Sequence, residues 1–323
     1  MAVYTDVSDA DLEAFLADYD LGEVLAFKGI AEGVENSNFL LRTATGSFIL
    51  TLFEQRVAAD DLPFFLDLMG HLASQGITCP LPIARVDGNV LGILCGRPAT
   101  VISFLDGVAV RRPKAAHCRE LGQTLARFHQ ATLDFPQSRT NDLSLAGWRS
   151  VYEQIEEKKS EAAFPGLRGK IGRELAQMDK LWPSDLPCGV IHADLFPDNV
   201  FFRGQNLSGL IDFYFACTDA YAYDLVICMN AWCFEPDLAF NVTKARALVS
   251  GYQSVRPLTP VEIDALPLLA RGASIRFLVT RLHDWLAVPD GALVVPKDPR
   301  EYAAKLSFHQ GVFDARFYGL DFD

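Results

Sequence analysis

The chain has 323 residues, of which 50% are hydrophobic and 22% are charged. This is the composition of an ordinary globular protein with a sizeable core, and the length suits about two domains or lobes. Lysine and arginine total 29 against 41 aspartates and glutamates, a net charge of −12, which argues against nucleic acid or an anionic membrane as partner, since both need clustered cations.

A phosphorylated ligand stays open, because a metal ion can supply positive charge locally. The opening MAVYTDVSDADLEAFL has no basic segment followed by an apolar one, so no signal peptide is expected. No apolar run reaches the roughly 18 residues that a membrane span needs. Seven cysteines (Cys79, Cys95, Cys118, Cys188, Cys217, Cys228 and Cys233) are scattered with no CxxC pair. They read as reduced core residues of a cytoplasmic protein rather than as a disulfide frame or a zinc site.

Leu12, Phe15 and Leu16 recur at helical spacing behind Ser8, a candidate N-cap, and predict a short first helix. EVLAFKGI, NSNFLLRT and SFILTLFE are short β-rich runs separated by the glycine-containing turns GIAEG and TATGS, which predicts an antiparallel meander. Phe65, Leu68, Met69 and Leu72 predict a helix over 61–75 that stops at Gly76. NVLGILCG and ATVISFL predict two further strands. Beyond a hinge at Ser103–Gly107, a helix starting at Pro113 places Leu121, Leu125 and Phe128 on one face. The remainder reads as mostly helical, broken by a β-rich segment at 189–213. The expected domains are therefore a β-rich lobe over 1–105 and a helical lobe over 106–323.

Chemistry concentrates in GVIHADLFPDNVFFRGQNLSGLIDFYFACTD. The polar loop offers His192, Asp194, Asp198 and Asn199, and a second strand, GLIDF, ends near Asp212. A loop aspartate can take the proton of a hydroxyl as that hydroxyl attacks phosphorus. An asparagine and a second aspartate are hard oxygen ligands suited to Mg²⁺ on a triphosphate.

His192-x-Asp194, then Asn199, then Ile211-Asp212-Phe213, resembles the catalytic loop and metal motif of the kinase-like fold. With no arginine between histidine and aspartate, HADLFPDN is similar to the aminoglycoside-phosphotransferase-like small-molecule kinases. The resemblance implies an α+β, two-lobed, protein-kinase-like fold with a small antiparallel β-rich N-lobe and a larger, mostly helical C-lobe. It also implies ATP and Mg²⁺ as cofactors, Asp194 as the base, Asn199 and Asp212 as metal ligands, His192 as a brace for the loop, and Asp224 as its structural support. Gly29, Gly33, Asn36, Ser37 and Asn38 stand where the family has its phosphate-covering loop, although taken alone this stretch is equally an ordinary hairpin. Ser103 and Leu105 fall in the hinge whose backbone would meet adenine. His129 reads as a packed helix residue.

One departure stands out. Thr51 occupies the strand position where the family has a lysine, and helix 61–75 lacks the glutamate that would pair with it. Lys28, Arg42 and Arg56 are the candidate replacement cations. ILTLFEQR, HADLFPDNVFF, RGASIRFLVTRLHDWL, SFLDG and EYAAKLSFHQ together resemble the homoserine kinase branch. That implies phosphoryl transfer to the hydroxyl of L-homoserine, a step toward threonine.

Such a small zwitterion needs a cation for its carboxylate and an acid for its ammonium. Ile275, Leu278, Val279, Leu282 and Trp285 form the apolar stripe of a helix over 268–286, with Arg276, Thr280 and His283 on another face. Arg276 is the candidate for the carboxylate, against a surface or structural arginine. Asp198 is the candidate for the ammonium, against a turn residue after Pro197. Trp232 and Phe234 are pocket walls or plain core, and Arg281 and Asp284 are expected to pair with each other. Three alternatives remain. One is a kinase of choline, methylthioribose, an aminoglycoside or a similar alcohol, which the acidic chain would suit. The others are a nucleotide-binding pseudokinase, kept open by Thr51, and a metal-dependent hydrolase.

Overall fold

A computed structural model describes residues 5–30, 36–54, 58–288 and 296–320. The chain divides into two compact units, Met1–Gly107 with Ser208–Tyr214, and Val108–Leu207 with Phe215–Asp323.

In the first unit, α1 (Asp9–Leu16) begins where expected, with the Ser8 hydroxyl accepting the Asp11 amide at 3.2 Å. It is followed by β1 (Val24–Gly29), β2 (Ser37–Thr43), β3 (Ser47–Leu52), α2 (Leu62–Ser74), β4 (Gly92–Leu94) and β5 (Arg97–Ser103). The strands form one sheet in the order β1-β2-β3-β5-β4, with every neighbouring pair antiparallel. Alternation along the strands sorts the two faces. Phe39, Leu41, Leu50, Leu52, Ala99 and Val101 join Leu12 and Phe15 of α1 in the buried cluster, and each large apolar side chain there contributes about 1.5–3 kcal/mol. The opposite face carries the paired rows Asn38–Thr51–Thr100 and Lys28–Leu40–Ile49–Ile102. Ser208–Tyr214 joins this unit through the Leu210 amide on the Thr78 carbonyl at 3.0 Å. The Tyr214 ring also packs edge-on against Phe53 and Phe65.

The rest of the chain supplies β6 (Val108–Ala109), α3 (Ala115–Ala131), α4 (Leu145–Gln154), α5 (Glu157–Ala163), α6 (Leu167–Leu181), β7 (Cys188–Ile191), β8 (Val200–Arg203), β9 (Asn206–Leu210), β10 (Cys217–Ala220), α7 (Tyr221–Trp232), α8 (Val242–Gln253), α9 (Pro260–Ala287) and α10 (Pro299–His309). β7 pairs with β10, and β6 with β8. α3 and α8 approach so closely that a Cβ on Gly122 would lie 2.0 Å from the Leu248 carbonyl, and one on Gly251 2.3 Å from that of Arg119.

Three expectations are corrected. Helix α9 does not start at 268: it begins at a Thr259–Glu262 capping box with Pro260 in its first turn, and runs on through Pro267. Asp212 lies beyond the end of β9 and not on the strand, with φ 66°. Cys95 and Cys188 are exposed and not core, while the other five cysteines are buried and all seven are free. Among the described residues no helix is long and apolar enough to cross a membrane.

Candidate active site

The second unit builds the HADLFPDN loop between β7 and β8. Ala193 adopts φ 64°, a left-handed conformation that costs a non-glycine residue about 1–2 kcal/mol. Both of its backbone polar groups are held. Its amide donates to Asp224 Oδ1 at 2.9 Å, and its carbonyl accepts from Arg276 Nη1 at 2.7 Å. The neighbouring His192 amide donates to Asp224 Oδ2 at 2.8 Å. His192 is fully buried, and its Nδ1 accepts the Asp194 amide at 3.3 Å. The loop is thus pinned from below, and its backbone is turned so that Asp194 stays half-buried rather than buried.

Beneath Asp224 runs a relay. His129 Nε2 lies 3.2 Å from Asp224 Oδ2, and His129 Nδ1 lies 2.8 Å from the Tyr252 hydroxyl. Arg256 donates to that same hydroxyl at 3.2 Å and to Glu262 at 2.9 Å. Burial pushes His129 below the usual imidazole range, against the pull of Asp224. Burial would raise Asp224, but the His129 bond and the His192 amide outweigh it and hold the carboxyl below its ordinary value. At neutral pH the pair is therefore an anionic Asp224 and a neutral His129 that donates through Nε2 and accepts through Nδ1.

Asn199 closes a short 3₁₀ turn, Pro197–Asn199. Its Nδ2 donates to the Asp194 carbonyl at 2.8 Å and to Asp194 Oδ2 at 3.1 Å. The amide nitrogen is so committed, while its Oδ1 has no hydrogen-bond partner among the described residues. A magnesium ion takes few protein ligands, oxygens only; Asn199 in the second unit and Asp212 in the first each carry an oxygen of that kind. Asp198 is exposed on the same turn.

Arg276, read above as a carboxylate clamp, is 1% exposed. Besides the Ala193 carbonyl it meets the rings of Phe215 and Phe277, 5.6 and 4.7 Å from its guanidinium carbon, so it lies under the loop. Trp232 is buried and donates Nε1 to the Leu195 carbonyl at 2.7 Å. Arg281 pairs with Glu301 at 2.6 Å instead of with Asp284. The supports that His129 of α3, Tyr252 of α8 and Trp232 of α7 give the loop were not anticipated.

The first unit holds the remaining expected residues. Asp212 belongs to it, and its charge adds to burial in raising the Tyr214 hydroxyl, which also bonds to Thr51. Thr51 is 1% exposed, and its hydroxyl donates to Asn38 Oδ1 at 2.8 Å. A Thr51–Asn38–Tyr214 network therefore stands where a lysine was expected. Asn36 Oδ1 accepts the Glu54 amide at 3.4 Å, and the Ser37 hydroxyl donates to Glu54 Oε1 at 2.7 Å. Gly29 ends β1 opposite Phe39. Lys28 shares the sheet face of Thr51, as does Arg42, and both are exposed. The Ser103 hydroxyl accepts the Leu81 amide at 2.9 Å. Among the described residues the backbone N–H and C=O of Leu105 have no hydrogen-bond partner. Gly33 and Arg56 lie outside the described residues.

Residues 26–258 match the phosphotransferase enzyme family. The chain belongs to that family. Two curated relatives span this phosphotransferase almost end to end. The homoserine kinase of Methylobacterium sp. (strain 4-46) is 61% identical over 319 residues, 99% of each chain. The homoserine kinase of Xanthobacter autotrophicus (strain ATCC BAA-1158 / Py2) is 60% identical over 320 residues, also 99% of each. Among solved structures, an amicoumacin kinase in complex with AMP-PNP, Ca²⁺ and Ami matches with a TM-score of 0.67 over 94% of this chain and 92% of that one. At 16% identity this is a likeness of fold alone. The phosphotransferase thus has the α+β kinase-like fold that the HADLFPDN motif led us to expect, with an antiparallel β-rich N-terminal region and a mostly helical C-terminal region.

Proposed function

We propose that the chain transfers the γ-phosphoryl group of ATP to the side-chain hydroxyl of L-homoserine, giving O-phospho-L-homoserine. The observation that carries this reading is the roughly 60% identity, over 99% of each chain, to homoserine kinases. In this reading Asp194 accepts the hydroxyl proton as the oxygen attacks phosphorus, and Asn199 keeps the carboxylate oriented through Nδ2. His192 and Asp224 hold the loop so that this carboxylate needs no rearrangement at the moment of reaction. Asn199 Oδ1 and Asp212 would hold magnesium, which when bound neutralises charge on the phosphates.

Residues 1–105 form the nucleotide lobe, in which the backbone of Leu105 would meet the edge of adenine and Gly29, Gly33, Asn36, Ser37 and Asn38 would cover the phosphates. Residues 106–323, apart from Ser208–Tyr214, which joins the first unit, form the catalytic and substrate lobe of a cytoplasmic enzyme. The partners are homoserine and ATP, with no nucleic acid and no membrane. The absent strand lysine is met by exposed cations on the Thr51 face, Lys28 and Arg42.

ADP release, measured over a panel of hydroxyl compounds with ATP and Mg²⁺, tests the assignment. Homoserine is expected to be the preferred acceptor, and Asp194→Ala to lower kcat by about two to four orders of magnitude, the range of a positioned base. Turnover of choline or an aminoglycoside in preference to homoserine would end the proposal, as would near wild-type activity in Asp194→Ala.

A further inference from the structure

A cavity of about 680 Å³ in the second unit is lined by Pro197 of the catalytic turn, by Trp232 and Phe234, and by side chains of α8 and α10. Trp232 also bonds the loop at Leu195, so the cavity abuts the residues that present Asp194. Five of its lining side chains are lysine or arginine and three are acidic. In a chain of net charge −12, this makes the cavity a local positive hollow, suited to a ligand with an anionic group rather than to a purely cationic alcohol.

Its deepest charge is Lys305, 3% exposed. Lys305 Nζ lies 2.5 Å from Glu301 Oε1, while Arg281 Nη1 holds Glu301 Oε2 at 2.6 Å. Two cations therefore share one carboxylate and leave a positive charge in excess, a costly arrangement for a group so far from water. The Phe234 and Tyr302 rings lie 5.3 and 4.5 Å from Nζ and fix its position.

We propose that this cavity is the acceptor pocket, that Lys305 binds the α-carboxylate of the amino-acid substrate, and that Glu301 binds its α-ammonium. The proposal rests on the reading of the chain as a homoserine kinase. An α-amino acid carries its two charges on one carbon, so it delivers them together at about the spacing of an ion pair. It opens the Lys305–Glu301 bond by partner exchange: Arg281 keeps its oxygen of Glu301, the zwitterion adds no net charge, and the buried Lys305 charge gains a carboxylate of its own. An acceptor without a carboxylate leaves that charge unmatched, and buried polar groups left without partners are what give a site strong discrimination. Lys305 and Glu301 are thus the residues that select an amino acid over an amino alcohol.

The test compares L-homoserine with 3-amino-1-propanol, the same molecule without its carboxylate, using the full chain with ATP and Mg²⁺. The wild-type chain is expected to prefer homoserine by about a hundredfold or more in kcat/KM. Lys305→Met is expected to raise the homoserine KM about tenfold or more, to leave the ATP KM within about twofold, and to collapse the preference. Glu301→Gln is expected to raise the KM of both acceptors, since both carry the ammonium. Where Lys305→Met does not fold, Ala231→Trp, which fills the cavity from its wall, is expected to raise the homoserine KM with the ATP KM unchanged. An unchanged homoserine KM in either folded variant overturns the pocket and leaves homoserine phosphorylation standing. A wild-type chain that does not turn over homoserine overturns the proposed function itself.

Discussion

Ala193 is a strained residue, and it is over-determined. Its amide is gripped by Asp224 and its carbonyl by Arg276, a buried cation without a carboxylate partner among the described residues. Residues held in sparsely populated conformations cluster at functional sites because the surroundings must hold them there. Arg276 is therefore expected to position the loop rather than to touch the acceptor. Arg276→Met should lower kcat about tenfold or more and leave the acceptor KM within about threefold, which steady-state kinetics at saturating ATP would read. A raised acceptor KM with unchanged kcat would instead place the guanidinium on the substrate. The residues of the loop itself were legible because they are contiguous: His192, Asp194 and Asn199 fall within eight positions. Asp224 was expected as a support through the family resemblance alone; the roles of His129 and Arg276 were not legible, because the Asp224–His129 and Arg276–Ala193 bonds join positions 95 and 83 residues apart, and no local spacing announces such contacts.

At the scale of elements, α1 and β2 could be read because each has a wetter and a drier face, whereas Leu50–Leu52 of β3 and Ala99–Ile102 of β5 are buried on both faces and were readable only from their β-branched and apolar composition. The alternation of β2 appears directly in Phe39, Leu41 and Thr43. α9 defeats that logic. Ile275, Arg276, Phe277, Leu278 and Val279 are all buried, so this stretch of the helix has no solvated side, and a reading that assigns Arg276 to a polar face must fail. β6, with two residues, and β10, whose CTDA has no apolar alternation, offer no periodic signal either. The crossing of α3 and α8 carries a clearer consequence. α3 brings His129 and α8 brings Tyr252, and their 2.8 Å bond requires the close approach at Gly122 and Gly251. Gly122→Ala should cost about 1–3 kcal/mol through overpacking, seen as a lower urea midpoint. Once Gly122→Ala has parted the helices, adding Gly251→Ala should cost less than it does alone, since the two sites share one contact. Full additivity of the two changes would show that the crossing does not act as one contact.

Across the whole molecule the buried histidines make stability depend on pH with a definite sign. His309 is fully buried between the Tyr318 hydroxyl and Asn230 Oδ1, at 2.8 and 2.6 Å, and burial with the nearby Lys305 charge lowers its pKa from 6.5 to about 3. An unfolded chain therefore takes up a proton at this residue as pH falls below about 6.5, while the folded chain does not until about pH 3. Unfolding is then favoured by about 1.4 kcal/mol for each pH unit through that interval. Its contribution is complete above pH 6.5 and is lost on acidification. His129, lowered by burial in the same direction, adds to the slope from the same upper limit. Asp224, held below its ordinary value, adds its own loss only once pH falls below about 4. Urea midpoints are thus expected to fall from pH 7 to pH 5.5 by the equivalent of about 1 kcal/mol for His309 alone. His309→Gln removes the titration while keeping a donor for Asn230, so it should flatten this dependence even though it lowers stability at pH 7. A variant whose midpoint falls with acid as steeply as that of the wild-type chain would show that His309 is not the group responsible.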